Sequence, residues 1–190
     1  MKKYLNKFEL KKLGFSKIGK NNKISNSLKT FKFKGVLGSN NRIDEYVILK
    51  GNINLKNNIH LAKGCTLSGG KKGIYLDDFA TLSNYVQIFT MSDDYKASAL
   101  SGGTLTNHKR KKFSKIIEGK INIGKCCIIG PFSVILPNTK INDFASFSPM
   151  SLIYGKFQKG FFYSLNNKKK YKKNYKKIEK LYNKFMKDNF

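Results

Sequence analysis

Histidine is the usual general base where a hydroxyl or amine must lose a proton near neutral pH, and the chain has two, His60 and His108. His60 stands in NNIHLA between Ile59 and Leu61, two positions that a hydrophobic repeat turns inward, so its own side chain is expected at a corner, facing out. A carboxylate pair, Asp93 and Asp94, occurs in SDDY at the start of a long interruption of that repeat, and LTN at 105–107 and then His108 follow inside it. Two distant histidines cannot supply the three or so ligands of a zinc-like centre. The three cysteines, Cys65, Cys126 and Cys127, show neither a disulfide framework nor a metal spacing, and Cys65 and Cys127 read as buried free thiols. No metal is expected, and the chemistry within reach is acid–base chemistry.

Those residues are positioned by a repeat of six. Ile123, Ile129, Ile135, Ile141, Phe147 and Ile153 are six apart, and Leu37, Ile43, Leu49, Leu55, Leu61 and Leu67 form a second unbroken run. Six is a multiple of the strand period and not of the helical one, so each row lies on one face of extended chain. Four places after each apolar residue of the later run comes a small one, Cys127, Ser133, Thr139, Ala145 and Ser151, the residue type that a tight corner holds. Such units stack as a solenoid, each coil burying its row against the next. The phase slips through SGGKKG, resumes at Leu76, Leu82 and Ile88, and is lost until Ile117. The reading is therefore all-β: an N-terminal segment 1–17, a parallel β-helix over 18–155 with an excursion at 89–116, and a basic tail over 156–190. An excursion that long carries an ordering cost, which marks it as functional or disordered.

The net charge of +27 comes almost wholly from lysine, the two arginines being Arg42 and Arg110, and only 11 residues are acidic. Such a surface attracts coenzymes, nucleotide-sugars or anionic lipid. In the tail, Tyr171, Tyr175, Ile178, Leu181, Tyr182, Phe185 and Met186 fall three and four apart, the stripe of an amphipathic basic helix. That helix is expected to dock on the solenoid, with weak, salt-sensitive contact to an anionic membrane surface as the second reading. No nucleic-acid motif accompanies the lysines. With no secretory signal and no span long enough for a bilayer, the expected location is the cytoplasm, peripheral to the inner membrane if that contact is made.

IGKCCI, IGPFSV and ILPNTK resemble the hexapeptide motif of left-handed parallel β-helix acyltransferases. LKKLGFSKIGKNNKIS, RIDEYVILKG, NNIHLAKGCTLSGG and GIYLDDFATLSNYVQIFTMSDDY extend the likeness to bacterial sugar acetyltransferases of surface polysaccharide synthesis, over roughly residues 9–170. The resemblance implies a triangular prism, a homotrimer with active sites between subunits, and acetyl-CoA as acyl donor. It marks His60 as general base, with Asp93 or Asp94 orienting it or binding the acceptor, and Tyr95 and Asn107 as substrate contacts. Many relatives carry a histidine directly after the first aspartate of the loop, where this chain has Asp94, and His108 stands where they often have proline. Coenzyme A is expected along the C-terminal coils at Gly130, Ser133, Ser148 and Ser151, and at Lys169, which closes YSLNNKK.

The leading expectation is transfer of an acetyl group to a sugar hydroxyl in O-antigen, lipooligosaccharide or capsule synthesis. The alternative is N-acylation of a nucleotide-linked amino sugar, which dispenses with a strong base because a neutral amine is already nucleophilic. A noncatalytic scaffold comes third, since it gives the long excursion no purpose.

Overall fold

The computed structural model describes residues 3–96, 98–164 and 169–189. It is a β-solenoid of about eight turns, with short parallel strands stacked from coil to coil on three faces. One face of the prism carries Lys23–Ile24, Arg42–Ile43, His60–Leu61, Thr81–Leu82, Ile128–Ile129 and Ser146–Phe147, paired in parallel in that order. The second carries the start of Ile48–Leu55, then Thr66–Ser68, Gln87–Phe89, Val134–Ile135 and Leu152–Ile153. The third carries the end of Ile48–Leu55, then Ile74–Leu76, Ile121–Ile123, Lys140–Ile141 and Lys156–Phe157.

The six-residue rows fill the interior. Leu49, Leu61, Leu67, Leu82, Ile129 and Ile135 are all 0% exposed, and Ile123 and Ile141 are nearly so. The small residues Cys127, Ser133, Thr139, Ala145 and Ser151 are buried beside them at the corners. The residue before each of these takes a left-handed conformation: Cys126, Phe132, Asn138, Phe144 and Met150 have φ between 53 and 64°. That conformation costs an L-residue roughly 1–2 kcal/mol, and a small inward neighbour leaves room for the turn. The ends are closed, as a solenoid requires. At the start the helix α1 (Lys7–Lys12), with a capping box between Asn6 and Glu9, buries Leu10. At the other end the prism runs past the boundary expected at 155, because Lys156–Phe157 and Phe161–Ser164 add parallel strands to the third and first faces, and there Phe147, Phe157 and Tyr163 pack ring against ring.

The excursion begins as a ribbon, Met91–Asp93 paired antiparallel with Ile116–Glu118, and holds the short helix α2 (Asn107–Phe113). This corrects the restart expected at Ile117. Ile117 lies on the ribbon opposite Ser92 and is 39% exposed, and the buried row resumes at Ile121 and Ile123. A two-stranded ribbon has no interior, so its apolar residue carries no phase information.

The tail forms α3 (Tyr175–Asn189), and Tyr175, Tyr182 and Phe185 of the expected stripe dock on a corner of the prism, whereas Leu181 stays 58% exposed and Tyr171, expected in the helix, lies before it on the strand Lys169–Lys172 because its backbone pairs with Phe162. Phe79 meets Tyr182 and Phe185 edge-on, Phe144 stacks on Tyr175, and the Tyr182 hydroxyl donates to Asp78 Oδ2 at 3.2 Å. Gly160 admits this packing, because a Cβ there would lie 2.1 Å from the Tyr175 ring. A second corner, between the first and second faces, stays open. Tyr46, Tyr85, Phe132 and Met150 line it as an exposed apolar ridge, with Tyr85 and Phe132 stacked at 5.2 Å. Among the described residues no helix is long and apolar enough to cross a membrane, and no cluster of three or more His, Cys, Asp or Glu is arranged to hold a metal.

Candidate active site

On the first face Leu61 points inward, so its neighbour His60 points out, flanked in register by Arg42 and Thr81. Its Nε2 lies 2.8 Å from Asp44 Oδ2, and the other oxygen of Asp44 accepts from Arg42 Nε at 2.6 Å. Burial raises the Asp44 pKa, but the hydrogen bonds from His60 and Arg42 outweigh it and the net shift is downward. Asp44 therefore stays charged and accepts from Nε2–H, which leaves Nδ1 of a neutral His60 as the basic nitrogen. Within one chain it is Asp44, not Asp93 or Asp94, that orients His60. The aspartates leave the prism from the corner between the second and third faces, away from the histidine face.

Asp93 ends the first ribbon strand. Its Oδ2 accepts from the Ser101 hydroxyl at 2.9 Å and its Oδ1 from the Gly102 amide at 3.2 Å, which leaves acceptor capacity on both oxygens. Asp94 is more fully committed: it accepts from the Ser98 hydroxyl, from the Lys96 amide at 3.0 Å and from Lys115 Nζ at 3.2 Å. These donors, Ser98 foremost, hold its pKa down to about 2. The clasp is thus complete above the ordinary aspartate value of 3.8 and is lost only as pH falls through about 2, so Asp94 is a weak base at neutral pH. Tyr95 is 80% exposed and Asn107 opens α2 at the surface.

Four of the residues expected to hold coenzyme A, Gly130, Ser133, Ser148 and Ser151, lie at the open corner. Gly130 rests on the next coil, where a Cβ would be 2.5 Å from the Ser148 carbonyl carbon and the Pro149 nitrogen. Ser133 and Ser151 are 0% and 2% exposed, and both hydroxyls donate to the Ser148 carbonyl. They are corner residues whose polar groups are spent inside the prism, a correction to the expected coenzyme contacts. Ser148 is half-buried at the same corner. Phe132 stands out on the ridge, 60% exposed. The backbone of Lys169 pairs with Ser164, while its side chain and residues 165–168 lie outside the described residues. One residue escaped the sequence reading: Ser83 sits in the column Asp44, Ala62, Ser83, Gly130, Ser148, half-buried, with its hydroxyl unpartnered among the described residues.

The fold has counterparts. No protein-family model matches the chain. AntD, an N-acyltransferase from Bacillus cereus solved in complex with dTDP-4-amino-4,6-dideoxyglucose and coenzyme A, is 31% identical, with 99% of this chain and 100% of that one covered and a TM-score of 0.89. The chain belongs to the hexapeptide-repeat acyltransferases. AntD in complex with dTDP and 3-hydroxybutyryl-CoA matches at the same identity and TM-score, with 99% of this chain and 98% of that one covered. A dTDP-4-amino-4,6-dideoxy-D-glucose acyltransferase of Escherichia coli is 28% identical over 154 residues, 79% of this chain and 78% of its own length. The AntD complex with the amino sugar carries alanine in place of a serine, and AntD has also been solved with an aspartate ten residues further on replaced.

Proposed function

We propose that the chain transfers an acyl group from a coenzyme A thioester to the amine of a dTDP-linked 4-amino-4,6-dideoxy sugar. The observation that carries this is the end-to-end likeness to AntD bound to that sugar and coenzyme A. It favours the amine alternative over the O-acetylation expected first. Either an acetyl or a 3-hydroxybutyryl donor fits the reading, the latter being the thioester seen with AntD.

In this chemistry the amine nitrogen attacks the thioester carbonyl, a C–N bond forms, the C–S bond breaks, the nitrogen gives up a proton, and the departing coenzyme A sulfur takes one to leave as free thiol. Asp93, with acceptor capacity left on both oxygens, binds the amine and takes that proton. Asp94 holds the loop that presents it. The unpartnered hydroxyl of Ser83 faces the carbonyl and donates to the developing oxyanion. Ser83 precedes Asp93 by ten residues, the separation of the serine and aspartate replaced in AntD. Among the Ser–Asp pairs at that separation, Ser68–Asp78, Ser83–Asp93 and Ser133–Asp143, Ser83–Asp93 fits the near end-to-end coverage best.

Ser83 and Asp93 sit on different corners of one prism, so the site closes between copies, in a homotrimer whose excursion reaches the ridge of its neighbour. The exposed ridge of Tyr46, Tyr85, Phe132 and Met150 is the surface such a neighbour covers.

The test offers dTDP-4-amino-4,6-dideoxyglucose and its 4-hydroxy counterpart side by side, with acetyl-CoA and with 3-hydroxybutyryl-CoA, and measures free thiol. Release is expected with the amino sugar and at background with the hydroxy sugar. Equal release with the hydroxy sugar would return the assignment to O-acylation.

A further inference from the structure

We infer that the basic groove between the excursion and the neighbouring prism bend, lined by Lys71, Asn107, Arg110, Lys111, Ser114 and Ile116, binds a diphosphate. This rests on the reading above, in which both substrates carry one, the acceptor in its nucleotide and the donor in coenzyme A.

The groove is built by helical spacing. Asn107, Arg110, Lys111 and Ser114 stand at i, i+3, i+4 and i+7, one face of α2 and its C-cap, whereas Lys109 and Lys112 fall on other faces. Lys71 comes from the bend after Gly70, so the groove joins two segments about forty residues apart. Its volume, ≈ 560 Å³, lies within the range of roughly 300–1,000 Å³ typical of small-molecule sites.

Its charge is the second observation. Three cations line it and no carboxylate does. Elsewhere four of the 11 acids are paired with cations: Asp44 with Arg42, Asp77 with Lys56, Asp94 with Lys115, Glu179 with Lys159. Arg110 has no ion pair among the described residues. A planar guanidinium with two lysines beside it suits the paired oxygens of a diphosphate.

The third observation is proximity to the reacting carboxylate. Asp93 accepts from the Gly102 amide, and Gly102 packs so closely on Arg110 that a Cβ there would lie 2.9 Å from Nε. The excursion thus holds the proposed acceptor carboxylate and the groove as one unit.

Isothermal titration of the full-length protein with dTDP and, separately, with coenzyme A tests this. Arg110→Gln and Lys71→Gln are each expected to weaken one of the two ligands about ten-fold, the loss of a charge-assisted contact, and to leave the other unchanged. Loss of dTDP binding assigns the groove to the acceptor, and loss of coenzyme A binding assigns it to the donor. Lys112→Gln, off the groove, is expected to change neither by more than about two-fold. If wild type binds both ligands and Arg110→Gln binds both as tightly, the groove assignment is overturned while the function stands. Equal weakening by Lys112→Gln overturns it in favour of diffuse charge. If wild type binds neither ligand, the functional reading fails and the groove assignment with it.

Discussion

Asp93→Asn is expected to lower kcat by about 10²- to 10⁴-fold, the usual contribution of a positioned base, with little change in coenzyme A affinity. The amide keeps the size of the side chain: its oxygen can still accept from the Gly102 amide while its NH2 donates to the Ser101 hydroxyl oxygen, so the loop survives and proton acceptance is removed. His60→Ala is expected to stay within about three-fold of wild type. The ring of His60 is tied to Asp44, and an amine needs no strong base to become nucleophilic. Steady-state kinetics with dTDP-4-amino-4,6-dideoxyglucose separates the two. If His60→Ala loses as much as Asp93→Asn is expected to lose, while Asp93→Asn stays active, the histidine is the base and the assignment of Asp93 is wrong.

Leu82→Ala is expected to cost about 2–5 kcal/mol of unfolding free energy. Leu82 is 0% exposed and lies in register between Leu61 and Ile129, themselves fully buried. In a solenoid each coil touches only its neighbours, and the backbone ladders on either side keep those coils from collapsing into the space left. The cavity therefore stays open. Its neighbour Thr81 points outward, and Thr81→Ala is expected to remain within about 0.5 kcal/mol. Urea unfolding followed by circular dichroism reads both as shifts in midpoint at unchanged slope. A Leu82→Ala cost below about 1 kcal/mol would mean that the row is not the core.

The rows themselves were legible because a coil repeats both its length and its inward positions, so every sixth residue from Leu37 to Leu67 and from Ile123 to Ile153 is placed inward by the sequence and is buried. The excursion was legible only as an interruption. Ile117 looks like a row residue by type, yet nothing in a ribbon makes an apolar residue inward, and it faces solvent. Ser133 and Ser151 satisfy two patterns at once, the small inward position and a polar residue near the coenzyme. Burial decides, since a corner carbonyl takes both hydroxyls. The partner of His60 was readable from coil geometry: Arg42 pairs with His60 in register, which brings Asp44 beside the ring although it is 16 residues away in sequence. Ser83 carries no local signal, because a lone serine in a corner column looks like any other small residue.

The central claim is that the acyl group ends on nitrogen. dTDP-4-amino-4,6-dideoxyglucose offers an amine and hydroxyls on one molecule, so its product separates the outcomes without comparing substrates. The product made from coenzyme A thioester is isolated, weighed by mass spectrometry, and treated with hydroxylamine, which cleaves esters and leaves amides intact. One added acyl group that survives hydroxylamine is the predicted result. An added acyl group released by hydroxylamine, with the amine still free, would contradict it.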